Sequence, residues 1–245
     1  MAGPELCEPL PWDSDFFGVS IARAVRSDAD AETCEAMRQW CVTHRIACLY
    51  FLCPGDNSAT RLHLEAAGFK YVGSRVTLER SLAIDANGVI GPTRAATVDD
   101  VPRLRAIAAT SHRDTRFYID GRFDPGRCDD LYAAWIENSV HGYADVVIVV
   151  ERDTVVVGYV TVHTTPADTP ARIGLIAVAA ESRNQGAGRD LVRGALRAAA
   201  ARGARSVSVV TAGTNAAALA LYASEGFRTT DVSLWYHAWF SATDR

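Results

Sequence analysis

Hydrophobic and polar positions alternate between two periods along this chain, and each change of period marks an element. From Asp28 to Arg45 apolar residues recur near helical spacing, and the run 46–53 (IACLYFLC) then reads as a buried strand. A short helix over 58–69 closes at Gly68, and 70–80 alternates as a strand. Asn-Gly and Gly-Pro signals cluster at 81–92, which places a domain boundary there, with one half over 1–90 and the other over 91–245. A helix opens at Thr97 as N-cap with Pro102 tolerated in its first turn, and a polar, aromatic loop over 111–127 precedes a helix from Cys128. Strands at 145–151 and 155–164 flank a turn at Arg152-Asp153, and 171–179 is a further buried strand. The helix after it presents Leu191, Val192, Ala195, Leu196 and Ala199 on one face and stops at Gly203. A strand at 206–211, a helix ending at Gly226 and a last strand or hairpin complete an α/β (α+β) reading: a mixed central sheet flanked by helices.

The halves echo each other. An offset of 158 (226 − 68) lays residues 48–78 on 206–236 without a gap, matching Gly55 to Gly213, Asn57 to Asn215, Ala59 to Ala217, Gly68 to Gly226 and Phe69 to Phe227. Leu64 stands where Tyr222 stands, and the first half shows no counterpart of the glycine loop 183–188 (RNQGAG). The first half therefore reads as a degenerate copy.

That loop joins a buried strand to a helix. It fails the Walker A pattern, because Arg189 and Asp190 follow the second glycine, and it lacks the third glycine of a dinucleotide fingerprint. Its glycines nevertheless leave backbone N–H groups free to turn inward, and the first amides of the helix carry partial positive charge. A phosphate or pyrophosphate suits such a place, with Arg183 and Arg189 at the rim; an ordinary strand-to-helix turn with solvated arginines would show the same residues.

Composition narrows the classes. With 245 residues, 49% hydrophobic, 22% charged and a net charge of −4, the chain has a globular profile and no general field for nucleic acid or acidic lipid. No apolar run reaches membrane-spanning length and the start lacks a secretion signal, so a cytoplasmic protein is expected. Six cysteines form no C-x-x-C pair and no H-x-x-x-H cluster accompanies them, so reduced buried thiols are expected and no metal is implied.

Three motifs in order carry a family resemblance over about 92–240. The strand 173–178 (IGLIAV), the loop RNQGAG and the helix 215–227 (NAAALALYASEGF) resemble the central strand, pyrophosphate loop and N-x-x-A-x-x-x-Y-x-x-x-G-F helix of the GNAT acyltransferase superfamily. The stretches LPWDSDFFG, SHRDTRFYIDGRF and WIENSV are similar to the branch that acetylates a dTDP-linked amino sugar and also has a degenerate first half.

The resemblance implies two GNAT-like halves, with acetyl-CoA as acyl donor and direct attack by an amine. It implies coenzyme contacts from the main chain of Ile176, Ala177 and Val178, from the loop residues Arg183, Asn184, Gln185, Gly186, Ala187, Gly188 and Arg189, and from Asn215 and Ala218. Tyr222 is implied as general acid to the departing thiolate. For the base, His163 at the end of GYVTVH is the candidate, with Asp114, Asp120, Glu79 or a water chain as alternatives. The loop residues Arg116 and Arg122 suit a nucleotide diphosphate, and Phe117, Tyr118 and Phe123 suit a base or sugar, though packed aromatics would look the same. Trp12, Phe16 and Phe17 are expected to join the two halves, and the last strand, SLWYHAWF, offers either a homodimer edge or a core strand. An amino-sugar N-acetyltransferase is the first reading. The same chemistry on an antibiotic or amino acid is the second, and a coenzyme A-binding module without catalysis the third.

Overall fold

The computed structural model describes residues 6–82, 93–164 and 170–240. In chain order the elements are β1 (Cys7–Pro9), α1 (Pro11–Phe17), β2 (Ile21–Ala24), α2 (Ala31–Thr43), β3 (Cys48–Pro54), α3 (Ser58–Ala66) and β4 (Lys70–Ser81). They continue with β5 (Thr93–Ala95), α4 (Val101–Ser111), α5 (Arg116–Asp120), α6 (Pro125–Asn138), β6 (Val146–Arg152), β7 (Val155–His163) and β8 (Ala171–Val178). The last four are α7 (Ala187–Ala201), β9 (Ser206–Ala212), α8 (Ala216–Ser224) and β10 (Arg228–Trp239). No described helix is long and apolar enough to cross a membrane. The mixed sheet flanked by helices is as expected.

The chain forms two compact units that do not follow its order. The first takes described residues 6–75, 115–127 and 231–240; the second takes 76–114 and 128–230, apart from the undescribed stretches. The boundary expected over 81–92 lies, from residue 83 on, outside the described residues.

In the first unit β1 pairs antiparallel with β2, β2 runs parallel to β3, and β3 pairs antiparallel with β10 from Pro54↔Ser233 to Cys48↔Trp239. Alternation then sorts the side chains. Leu49, Phe51, Cys53, Tyr236 and Ala238 join Cys34, Met37 and Cys41 of α2 and Leu64 of α3 in one apolar core. Cys48, Tyr50, His237 and Trp239 take the other face, and Phe117 and Phe123 pack there as buried residues. Phe17 lies against both phenylalanines, at 5.4 and 4.6 Å between ring centroids, so it does tie the start of the chain to the 115–127 segment. One expectation needs correction, and one open choice closes. The 111–127 loop contains the helix α5, which stops at Gly121 in a left-handed conformation (φ 71°). The last strand is no sheet edge, because β10 lies between β3 and β4 in the strand order.

The second unit carries the order β4-β9-β8-β7-β6-β5, antiparallel from β5 through β8 and parallel from β8 to β9. The apolar face expected of α7 is buried against this sheet: Leu191, Val192 and Ala195 are fully covered and Leu196 nearly so. Burying each of the larger ones contributes about 1.5–3 kcal/mol. Thr97, expected to cap the helix, instead precedes a single 3-10 turn (Val98–Asp100), and the N-cap position of α4 itself is Asp100, whose carboxylate accepts the Thr97 amide at 2.8 Å and its hydroxyl at 3.2 Å.

The 158-residue echo holds in the backbone. Asn57 and Asn215 both cap a helix by accepting the amide three residues on, from Thr60 and Ala218, with near-equal dihedrals (−85°, 78° and −82°, 71°). Gly68 and Gly226 end those helices at φ 85° and 82°.

Candidate active site

The second unit opens a cleft because two of its strands part. β8 pairs with β9 only at Ala171↔Val207, Arg172↔Ser208 and Ile173↔Val209, while on its other side it stays paired with β7 as far as Val178↔Gly158. The β7–β8 register shifts between Val160 and Val162, and there the Thr161 hydroxyl accepts the Leu175 amide at 2.8 Å. From Gly174 on, the β9 side of β8 has no strand to meet. A cavity of about 1070 Å³ lies there, lined by Ile176, Ala177 and Val178, by the glycine loop, and by α8.

The loop is built to leave donors free. Asn184 (φ 61°) and Gly186 (φ 84°) are both left-handed, a conformation asparagine tolerates and glycine adopts freely. Gly186 is the N-cap of α7 and offers no side chain, so nothing of its own occupies the first amides. α7 begins at Ala187, which makes Ala187 and Gly188 part of its first turn rather than of the loop. Gly188 also allows close packing, since a methyl there would lie 3.2 Å from Leu221 Cδ2.

Of the residues implied for coenzyme contact, Ile176, Ala177, Val178, Arg183, Asn184, Gly186, Gly188, Arg189, Asn215 and Ala218 line the cavity; Gln185 and Ala187 do not. The Gln185 amide instead donates to the Glu181 carbonyl, and Ala187 is buried. The two arginines differ. Arg189 is paired with Glu225 at 3.2 Å, a buried carboxylate that also takes Arg193, whereas Arg183 is exposed and donates to the Val178 carbonyl.

Tyr222 lines the cavity from α8, with its ring packed on Phe227 and the residue 2% exposed. Burial raises its phenol above the usual range, so it stays protonated across neutral pH. His163 does not line the cavity. It ends β7 beside Gly174, where a methyl would lie 2.7 Å from its Nε2, so the imidazole sits at the point where β8 leaves β9. Burial first, and then the Arg172 charge, lower its pKa and favour the neutral, proton-accepting ring.

The end of α4 (Thr110 and Ser111) and the residues just after it (Arg113 and Asp114) also line the cavity; of these Asp114 is a base candidate by sequence. The neighbouring His112 is half-buried, its Nε2 3.2 Å from the Tyr159 hydroxyl and its ring stacked on Tyr132. Burial, helped by the Arg183 charge, pushes its pKa down to about 4.

The residues expected to meet the acceptor belong to the first unit. Phe117 and Phe123 are buried packing residues there, Tyr118 is half-buried, and Arg122 lies 5.6 Å over the Trp239 ring. Asp120 accepts hydrogen bonds from His237 Nδ1 and from Trp239 Nε1. Cys48, Asp120 and His237 bring donor atoms within 4.8 Å of one another, a set that could hold a metal ion. As it stands Asp120 is taken by its two donors, and burial followed by the Asp120 charge pushes the Cys48 thiol well up. Glu79 is half-buried on β4.

Residues 107–227 match the acetyltransferase (GNAT) family model. Over 235 residues the chain is 32% identical to the dTDP-fucosamine acetyltransferase of Escherichia coli O6:H1, covering 94% of this chain and 96% of that protein. The chain belongs to the GNAT acetyltransferase family. It is therefore an acyltransferase, and acetyl-CoA is the donor that family uses. Solved GNAT structures share the fold at low identity. A GCN5-related N-acetyltransferase from Sphaerobacter thermophilus matches with TM-score 0.65, 13% identity and coverage of 95% of this chain and 76% of that one. A tandem GNAT protein from the clavulanic acid biosynthesis pathway matches with TM-score 0.59, 17% identity and coverage of 91% and 76%.

Proposed function

We propose that this GNAT protein moves the acetyl group of acetyl-CoA to the amine of a nucleotide-linked amino sugar, in a ternary complex. The observation that carries the donor half is the parting of β8 from β9, which leaves the main chain of Ile176–Val178 on a cavity that ends at the glycine loop. An extended pantetheine arm can pair with that main chain as an added strand does, and its pyrophosphate suits the free amides at the start of α7, with Arg183 beside them. The acceptor half is supported by the likeness to the dTDP-fucosamine acetyltransferase along nearly all of both chains.

In this reading the amine lone pair attacks the thioester carbonyl, the new C–N bond forms and the C–S bond breaks. Backbone amides of β8 stabilise the oxyanion. His163 takes the proton the amine loses, and Tyr222 gives a proton or hydrogen bond to the departing thiolate. Asp114, which lines the cavity, is the second candidate for the base.

The glycine loop, Asn215 and Tyr222 all fall within 91–245, so we assign the catalytic domain there and the degenerate copy to 1–90. That is a division of sequence copies rather than of packing, since the compact units exchange 115–127 and 231–240. Free buried thiols at all six cysteines support a reducing, cytoplasmic setting.

Thiol release from acetyl-CoA, measured against a dTDP-linked 4-amino sugar, the free sugar and a set of other small amines, tests the reading. Turnover should be confined to the nucleotide-linked amine. Coenzyme binding with no turnover on any sugar nucleotide would move the search to antibiotic-like or amino-acid acceptors, or to a non-catalytic coenzyme A-binding module.

A further inference from the structure

In the first unit, the face of β3 and β10 opposite the α2–α3 core sets Tyr50 against His237 and Leu52 against Trp235. Arg116, the first residue of α5, lays its guanidinium over this face. Its Cζ stands 4.1 Å from the Trp235 ring centroid, 4.5 Å from that of Tyr50 and 4.4 Å from that of Phe117. The Arg116 Nε is buried and has no hydrogen-bond acceptor, and the Arg116 side chain interacts with the Tyr50 hydroxyl.

Among the described residues no carboxylate closes an ion pair on Arg116. Asp13 feels its charge, but burial dominates there and raises the Asp13 pKa, and the two make no contact pair. Asp120 is taken by His237 and Trp239. Aromatic faces hold a guanidinium flat while leaving its donors unused, and a planar fork of donors fits phosphate oxygens. A guanidinium with an unmatched Nε and no carboxylate on it, beside a phenol hydroxyl, is matched by an anion with several oxygens.

We propose that Arg116 and Tyr50 are the receptor for the diphosphate of a nucleoside diphosphate-linked acceptor, with Asp120 and His237 as positioning residues. The Asp120 carboxylate holds the proton on His237 Nδ1, and the His237 ring stacks on Tyr50 at 4.4 Å, so the pair sets the floor on which Arg116 lies. The inference rests on the reading of the acceptor as nucleotide-linked.

The test is calorimetric titration of dTDP into the full-length protein and its variants, with acetyl-CoA titrated in parallel. Arg116→Met should weaken dTDP binding about tenfold to a hundredfold and Arg116→Lys by less, because lysine keeps the charge without the fork. Tyr50→Phe should weaken it a few-fold, and Asp120→Asn should do so without moving Tm, where a merely structural role would lower Tm and leave dTDP affinity alone. Acetyl-CoA affinity should be the same in all of them. Arg116→Met binding dTDP as tightly as the parent would overturn the proposal, as would a parent that does not bind dTDP. In the second case, thiol release with a free amine would leave the acetyltransferase reading intact. Tight, Arg116-dependent dTDP binding without thiol release on any amine would sustain the receptor and overturn the enzyme reading.

Discussion

The helices α2 and α7 each join two strands that run parallel, β2 to β3 and β8 to β9, and their N-caps are chemically opposed. α2 is capped by Asp30, whose carboxylate accepts the Thr33 amide and thereby occupies the donors a phosphate would need. Asp28 adds a second negative charge two residues earlier, paired with Arg26. α7 is capped by Gly186, which brings no side chain and no charge, and its amides remain open onto the cavity. The same contrast recurs one helix later. Asn57 and Asn215 make the same cap, but the buried position seven residues on is Leu64 in one copy and Tyr222 in the other. Folding needs only the cap and an apolar residue at these places; the transfer we propose uses free amides and a phenol. At these places the first copy keeps a cap and an apolar residue, without the open amides or the phenol.

Substitutions that make the second copy resemble the first should remove function in graded steps. Tyr222→Phe, and more so Tyr222→Leu, should lower kcat by about 10²–10⁴ with acetyl-CoA affinity kept, read by thiol release beside a coenzyme titration. His163→Gln should lower kcat by about 10²-fold and flatten its pH profile. Because burial and Arg172 lower the His163 pKa, the parent's kcat should hold as pH falls to 6.5, the ordinary imidazole value, and drop only below it. A parent profile that already declines well above that value, or an unchanged profile in the variant, would transfer the role to Asp114.

Asn184→Asp changes charge with little change in shape at a left-handed position aspartate also tolerates. It should raise the acetyl-CoA KM about tenfold at unchanged kcat and Tm. The smallest effect belongs to the first copy. Asp30→Ala should lower Tm modestly and leave coenzyme binding alone, while Asp30→Asn keeps the cap. The Thr33 hydrogen bonds hold the Asp30 pKa below its ordinary 3.8, so its stabilisation is complete above that value and fades as pH falls through the lower, folded one. The Tm gap between parent and Asp30→Ala should follow that course in a melting series.

Regular elements and most of the lining of the candidate cavity were legible because their determinants are local. The α7 stripe, the Gly186-x-Gly188 spacing and the seven-residue step from Asn215 to Tyr222 all lie within one or two turns of one another. What sequence hid is what long-range pairing makes. Asp120 and His237 are 117 residues apart and meet only because β10 returns beside β3. The helices α1 and α5 have seven and five residues, too few for a period to show, and so their aromatic residues read as loop or contact residues. Phe117 and Phe123 resembled a stacking platform from composition alone, whereas burial against Phe17 and Tyr50 makes them core. The last strand, rich in aromatics, left an edge and a core strand both open, because nothing in its own residues names the two strands that flank it.

The contrast between the two copies is tested most directly by the stoichiometry and location of acetyl-CoA binding, measured by calorimetric titration of the parent, Asn184→Asp and Asp30→Ala. One equivalent per chain is predicted, weakened about tenfold by Asn184→Asp and unmoved by Asp30→Ala. Two equivalents, or a single one indifferent to Asn184→Asp, would contradict it.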